Sequence, residues 1–160
     1  MIALNSFRSD SIWMSKAEFL KNANPHIWAE YTLYPTSKGG KTKYISCGWS
    51  CPCFVKKDSM CGGFDAYPLL GNTIMSPSET RYLGLWFMNR EEAELTLQKA
   101  GKFYLWEDGF IGEAIVRPNY AGMTGNERLY AAGLLEAYDE AVLKKDQEKI
   151  ADIMKRISLP

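Results

Sequence analysis

The sequence is poor in the groups that enzymes use for catalysis. It contains one histidine, His26, which follows Pro25 at the start of an expected strand. A catalytic or metal-binding histidine needs a neighbouring acid, nucleophile or second ligand. The sequence around His26 offers no such motif, and no nucleophile elbow or catalytic pair of carboxylates occurs elsewhere. We therefore expect a surface or capping role for His26, and no catalytic residues.

Other absences exclude further classes of function. No Gly-x-x-x-x-Gly-Lys-Ser/Thr loop is present, so we expect no nucleotide hydrolysis and no cofactor of that kind. No apolar run is long enough to span a membrane, and the N-terminus lacks the pattern of a signal peptide. The 19 basic and 19 acidic residues give zero net charge, which provides no bulk attraction to nucleic acid or membranes. We expect a cytoplasmic protein with no membrane partner, no cofactor and no small-molecule substrate.

Four cysteines lie within fifteen residues, at Cys47, Cys51, Cys53 and Cys61. Their spacing lacks the paired Cys-x-x-Cys knuckles of common zinc sites, although a zinc site stays open as an alternative. A Cys53–Cys61 disulfide is disfavoured in a reducing cytosol. Cys51 and Cys53 would share one face of a strand, and either is a conceivable nucleophile. The sequence favours plain, buried or partly exposed thiols.

Strand patterns dominate the middle of the chain. Residues 27–35 alternate large apolar with smaller or polar side chains, as a half-buried strand does, and Gly39-Gly40 follows as a turn. Aromatic residues make up 13% of the chain, which suits a β-rich core and an aromatic contact surface. The pattern predicts further strands at 43–48, 51–57, 72–76 and 80–88, and a hairpin at 102–117.

Helical patterns flank the strands. A capping box at Ser15–Glu18 predicts a short helix from Ser15 to Asn22, and residues 90–97 predict a short turn or helix. After a linker at 119–125, two apolar stripes predict a helical hairpin, which packs either on the barrel or against a partner. The stripes comprise Leu129, Ala132, Leu135, Tyr138 and Val142, then Ile150, Ile153, Met154 and Ile157.

Two blocks of residues in this pattern share features with a known domain. The first is the strand Ala29–Tyr34, then Gly39-Gly40, seven residues, Gly48-Trp49 and a proline shortly after. The second is the predicted hairpin from Gly101 to Val116. The two blocks resemble the C-terminal β-barrel domain of translation elongation factor Tu, and the second is similar to its closing hairpin. The blocks occur in the family's order and span about residues 27–117. The resemblance implies a small closed antiparallel β-barrel that lacks the GTPase domain.

The resemblance also implies a contact surface, because this barrel touches aminoacyl-tRNA through the Gly-Gly turn and the closing hairpin, and it also contacts proteins. Two family arginines of the hairpin are replaced here by Trp106 and Phe110, which favours protein over phosphate. The segment after Trp49 also departs from the family pattern. The candidate binding residues are Lys38, Gly40, Lys41, Lys43, Trp49, Tyr104, Trp106, Glu107, Gly109 and Phe110.

Together these observations predict a mainly β protein. We expect an N-terminal extension with a short helix at 1–25, a β-barrel domain at 26–118, and a linker with a helical hairpin at 119–160. The predicted function is non-catalytic protein binding, either as a translation-linked adaptor or as an immunity protein that neutralises a toxin. The alternative is a module that binds tRNA or another RNA through the barrel surface.

Overall fold

The chain forms a closed six-stranded antiparallel β-barrel with helices around it. The computed structural model describes residues 8–9, 12–13 and 15–158, so the predicted N-terminal extension lies partly outside the described residues. A two-stranded ribbon precedes the barrel, formed by β1 (Arg8–Ser9) and β2 (Ile12–Trp13). The barrel strands are β3 (Ile27–Leu33), β4 (Cys51–Phe54), β5 (Phe64–Pro68), β6 (Thr80–Phe87), β7 (Lys102–Trp106) and β8 (Phe110–Arg117). Around the barrel they follow the order β3-β6-β5-β4-β7-β8, and this confirms the predicted fold class.

Strand β3 closes the barrel by pairing on both of its edges. Ala29 lies opposite Leu83 of β6 on one side and opposite Val116 of β8 on the other. The side chains of Ala29, Tyr31 and Leu33 have no exposed surface and belong to the main core. The alternation read from the sequence therefore separates the barrel interior from its outer surface.

Two predicted strands are wrong, and one real strand is missing from the prediction. Residues 43–48 and 72–76 form only a single antiparallel bridge, in which Ile45 and Met75 exchange backbone hydrogen bonds of 2.8 and 3.0 Å. The missing strand is β5. Its Pro68 and the preceding Gly62 and Gly63 are residue types that are typical of loops. Pro68 occupies the last position of β5, where a residue without an N–H group is tolerated.

Helix α1 (Lys16–Lys21) lies before β3 and helix α2 (Arg90–Ala100) connects β6 to β7. Helix α1 begins with the predicted capping box at Ser15. Helix α2 is longer than the predicted short turn or helix at 90–97. Ala93 and Leu97 lie one turn apart and are fully buried, and this burial stabilises the helix against the barrel.

The predicted C-terminal hairpin consists of three helices, because its first helix is divided at Gly133, which has a φ of 69°. They are α3 (Gly125–Ala131), α4 (Leu135–Leu143) and α5 (Gln147–Ile157), and a capping box at Thr124 opens the first. The helices pack on each other and on the barrel, as one of the two alternatives expected. The shared apolar cluster contains Trp28, Tyr82, Tyr120, Leu129, Ala132, Leu134, Ile153 and Ile157.

An ion pair fixes α5 to the outer surface of β3. Glu30 is 6% exposed, and its carboxylate accepts a 2.6 Å hydrogen bond from the Arg156 guanidinium. Arg117 of β8 approaches the other carboxylate oxygen at 3.6 Å. A buried carboxylate is stable only with such partners, so the pair ties the orientation of α5 to the barrel. In the described ranges, no helix combines the length and the apolar character needed to cross a lipid bilayer.

The closure of the barrel is testable at Gly112, which lies opposite Leu33 at the β3–β8 junction. A Cβ atom there would lie 2.3 Å from the Thr32 carbonyl oxygen and 2.9 Å from Leu105 Cδ1. We expect Gly112→Ala to lower the free energy of unfolding by about 1–3 kcal/mol or more, measured by urea denaturation. Gly125→Ala is the control, because its Cβ would meet no atom within 4 Å. Equal stability of the two variants would contradict the close backbone approach.

Candidate functional site: an aromatic face on the closing hairpin

The closing hairpin presents aromatic side chains on the outside of the barrel. Along β7, Phe103 and Leu105 have no exposed surface and point into the core, whereas Tyr104 and Trp106 point outward and are half-buried. Phe110 begins β8 opposite Trp106 and is also half-buried. The alternation of the strand thus separates the core residues from the candidate contacts.

The outward rings pack edge to face. The Phe110 ring centroid lies 5.0 Å from that of Trp106 with an interplanar angle of 77°, and 6.0 Å from that of Tyr104 with an angle of 75°. Such T-shaped pairs are favourable aromatic geometries. The two contacts hold the Phe110 ring in one orientation on the barrel surface.

A lysine ammonium group sits among these rings. Lys57 Nζ lies 5.2 Å from the ring centroid of Tyr34, 4.9 Å from that of Tyr104 and 5.4 Å from that of Phe110. All three distances are within the range of a cation–π interaction. We call Tyr34, Tyr104 and Phe110 the cage, and the cage together with Trp106 and Lys57 the aromatic face.

Strand pairing explains how the cage forms from distant parts of the chain. Phe54, the last residue of β4, lies opposite Tyr104, so the chain that continues to Lys57 runs beside β7. Tyr34 follows β3, and its backbone N–H donates to the Ile111 carbonyl at 2.8 Å, which places it beside β8. The cage is therefore a product of barrel closure.

A carboxylate lies beside the cage. Glu113 accepts a 2.9 Å hydrogen bond from the Tyr34 hydroxyl and pairs with Lys102 Nζ at 2.7 Å. The hydrogen bond from Lys102 lowers the pKa of Glu113, and the charges of Lys102 and Lys57 lower it further. The carboxylate is consequently ionised at neutral pH, and it adds negative potential where an ammonium group is held.

Lys41, Glu107 and Trp49, all predicted contacts, come together next to the aromatic face. Lys41 Nζ forms an ion pair with Glu107, whose side chain is 42% exposed at the hairpin turn. The same ammonium lies 5.2 Å from the ring centroid of Trp49, which packs partly against the main core. Lys41 thus has both an anionic and an aromatic partner within the protein.

The remaining predicted residues have different roles. Lys38 ends a short 3₁₀ helix (Thr36–Lys38), and both Lys38 and Lys43 are exposed and form no ion pair with the described part of the chain. At Gly40 a Cβ atom would lie 1.9 Å from the Tyr34 carbonyl oxygen, so only glycine fits there. Gly109 adopts a φ of 140° in the β7–β8 turn. The two glycines therefore shape the surface.

Four residues of this surface were absent from the sequence prediction: Tyr34, Lys57, Lys102 and Glu113. Lys102 and Glu113 follow from the outward register of the predicted hairpin. Tyr34 is signalled by its place in the first predicted strand. Lys57 carries no local signal, since its position depends on the pairing of β4 with β7.

The cysteines have two kinds of environment, and all four are free thiols. Cys51 and Cys53 lie inside the barrel, as their shared face predicted, and Cys53 donates to the Phe64 carbonyl at 3.2 Å. Burial raises the pKa of Cys51 to about 12. Cys47 is half-buried against α1, where its thiol donates to the Ala17 carbonyl at 3.5 Å, and Cys61 is exposed. Among the described residues, no three His, Cys, Asp or Glu side chains are grouped so that they could hold a metal ion.

His26 contacts the backbone and a side chain of the barrel. Its Nδ1 accepts a 3.0 Å hydrogen bond from the Phe87 backbone N–H, and its ring lies 5.4 Å from that of Trp86. Partial burial lowers the pKa of His26, and the nearby charge of Arg90 lowers it further. The neutral imidazole is therefore favoured, as the acceptor role of Nδ1 requires.

A cleft of about 540 Å³ lies between α1, the β5–β6 connection and the end of α5. Its floor is apolar and includes Leu20, Leu70 and Leu83. The guanidinium of Arg81 at its edge already donates to Thr73, Ile74 and Glu79. The cleft contains none of the predicted contacts, and the aromatic face remains the candidate site.

Comparison with known proteins assigns neither a family nor a function to this surface. A scan against models of protein families finds no match, and a search of curated proteins likewise finds none. The resemblance to the elongation factor barrel therefore stays a prediction.

The thiol environments predict a clear order of reactivity. With its pKa raised to about 12, Cys51 is a thiolate in only about one molecule in ten thousand at pH 8, so its reaction with iodoacetamide is slow in the native protein. We expect exposed Cys61 to react first, and Cys51 and Cys53 to react only after unfolding, as measured by peptide mass spectrometry. Cys61→Ser removes the fast phase. Rapid native labelling of Cys51 or Cys53 would contradict the buried arrangement and support a thiol nucleophile.

Proposed function

We propose that this protein is a non-catalytic binding module that recognises another protein through its aromatic face. The observation that carries the proposal is the combination of outward aromatic rings with two neighbouring lysines whose charges are already paired with carboxylates. Trp106, Phe110 and Tyr104 supply ring surface, while Lys41 and Lys102 are paired with Glu107 and Glu113. Surfaces rich in tryptophan, tyrosine and phenylalanine, with few unpaired charges, are typical of protein interfaces.

Packing of the rings against each other also pre-organises them for binding. The T-shaped contacts of Phe110 with Trp106 and Tyr104 fix the rings before a partner arrives. Little side-chain entropy is then lost on association, and this favours affinity. Aromatic residues on a rigid strand are a better anchor for a partner than the same residues on a loop.

The pairing of the lysines argues against RNA as the main partner. Affinity for a nucleic acid backbone depends on cations that release counterions from phosphates. Lys41 and Lys102 would first have to leave Glu107 and Glu113, which favours binding to a protein over binding to a phosphate backbone. Lys38 and Lys43 are the predicted cations that are exposed and form no ion pair within the described ranges. These two exposed lysines favour the alternative function, which is an RNA-binding module.

The resemblance to the elongation factor barrel suggests two roles for a protein that binds a partner in this way. A translation-linked adaptor and an immunity protein that neutralises a toxin both agree with a small binding module in the cytoplasm. The non-catalytic character is supported by the raised pKa of the Cys51 thiol and by the structural contact of His26. The identity of the bound protein distinguishes the two roles.

Substitution of the rings tests the proposal. We expect Trp106→Ala and Phe110→Ala each to weaken capture of the protein partner from host lysate by about tenfold or more, because truncating a central aromatic anchor costs at least 1–2 kcal/mol. Capture is measured by quantitative mass spectrometry at low and high salt. Tyr130→Ala on α3 is the matched control, since Tyr130 is 78% exposed and lies outside the aromatic face.

The same experiment tests the RNA alternative. The RNA alternative predicts a small RNA that is retained at low salt, released at high salt and lost in Lys41→Glu and Lys43→Glu. This result would support RNA binding in place of protein binding. Circular dichroism spectra must match the parent protein for every variant, because loss of the fold would remove any surface. A partner that is retained at high salt and depends on Trp106 but not on Tyr130 is the expected result.

A further inference from the structure

The cage holds an ammonium group in a way that a partner could reproduce. Lys57 Nζ lies within 5.4 Å of three ring centroids, and the ionised carboxylate of Glu113 lies beside the same site. Several aromatic rings around one cation form the arrangement by which proteins recognise methylated lysine, and a lysine ammonium is attracted to aromatic faces by the same cation–π interaction. Here the cation in the cage comes from the protein itself.

The position of Lys57 makes it replaceable. Its side chain is exposed and has no ion pair in the described ranges, and it follows β4 in the connection to β5, outside both strands. Its ammonium contacts the rings and lies near the Glu113 carboxylate without pairing with it, and an exposed cation–π contact is weak. By contrast, the rings belong to or directly follow barrel strands and remain in place when Lys57 leaves.

We propose that the cage is a receptor for a lysine side chain of the partner protein, and that Lys57 occupies it until the partner's lysine displaces it. This inference rests on the proposed function and names the chemical group that the aromatic face recognises. Charge complementarity supports a cation over an apolar group, since the rings present their negative faces to Lys57 and Glu113 adds a carboxylate. That carboxylate also pairs with Lys102, whose ammonium lies 5.4 Å from the Tyr104 ring centroid, so the rings provide the main attraction for a cation. An apolar side chain would gain nothing from that carboxylate.

Displacement gives Lys57 a regulatory effect on affinity. An internal competitor reduces the apparent affinity of an external ligand to its intrinsic affinity multiplied by the fraction of molecules in which the site is free. Removal of the Lys57 charge should therefore strengthen binding of a lysine ligand, although it removes a native contact. A purely structural role for Lys57 predicts the opposite result.

The test uses matched small ligands and NMR spectroscopy of the isolated protein. N-acetyl-lysine methylamide, its trimethylated form and N-acetyl-norleucine methylamide are titrated while amide and indole shifts are followed. Norleucine keeps the aliphatic stem and lacks the charge. We expect both cationic ligands to shift the Trp106 indole and the amides of Tyr104 and Phe110, and norleucine to leave them unchanged.

Variants then separate the cage from its internal lysine. Lys57→Met should bind the cationic ligands about threefold to tenfold more tightly, because each exposed cation–π contact changes an equilibrium by about twofold to fivefold. Lys56→Met is the control at the neighbouring exposed lysine and should leave the affinity unchanged. Phe110→Leu in the Lys57→Met background keeps an apolar side chain and should abolish the gain.

The outcomes separate a failure of the lysine receptor from a failure of the proposed function. Equal binding of norleucine would show an apolar patch without charge recognition. An unchanged or weaker affinity in Lys57→Met would show that Lys57 does not compete for the cage. Cation binding to the cage without any dependence of the captured partner on Trp106 would show that the proposed function has failed. If capture depends on Trp106 while no cation binds, the proposed function stands and only the lysine receptor is wrong.

Discussion

The closure of the barrel by β3 is the constraint on which the rest of the structure depends. Six of its seven residues pair with β6 on one edge and six pair with β8 on the other, so all six strands have two neighbours and no edge of the barrel sheet is left open. Gly112 permits the close approach of β8 to the Thr32 carbonyl. Closure also brings Tyr34, which follows β3, beside the hairpin that carries Tyr104 and Phe110.

The outer surface of the barrel is divided between two uses. Near Trp28 and Tyr82 it is covered by the C-terminal helices, and the Glu30–Arg156 ion pair fixes that contact. Near the β7–β8 turn it carries half-buried aromatic rings and paired charges. The first region supports the fold, whereas the second has the composition of a contact surface. One barrel therefore combines a stabilised side with a side suited to recognition.

Local patterns in the sequence predicted a large part of this arrangement. Alternation identified β3 and the closing hairpin, and the capping boxes at Ser15 and Thr124 located two helix starts. These features are local because they depend on side-chain period and on hydrogen bonds between residues three apart.

What the sequence did not reveal depends on contacts between distant residues. Strand β5 contains Pro68 and follows two glycines, so only its pairing with β4 and β6 identifies it. Helix α2 has weak amphipathic character because Leu95 is exposed, and its length follows from the burial of Ala93 and Leu97. Lys57 reaches the cage only through strand pairing. The aromatic residues of the site were predicted from the hairpin, and the cation between them was not.

Site-specific photo-crosslinking in the native host tests the central claim most directly. A photoreactive phenylalanine analogue replaces Phe110 in one variant and Tyr130 in a second, and crosslinked products are treated with RNase and mapped by mass spectrometry. We expect a protein product from position 110 that resists RNase, with a lysine in or next to the crosslinked peptide, and no such product from position 130. Crosslinks to the partner from position 130 alone, or RNase-sensitive products from position 110, would contradict this expectation.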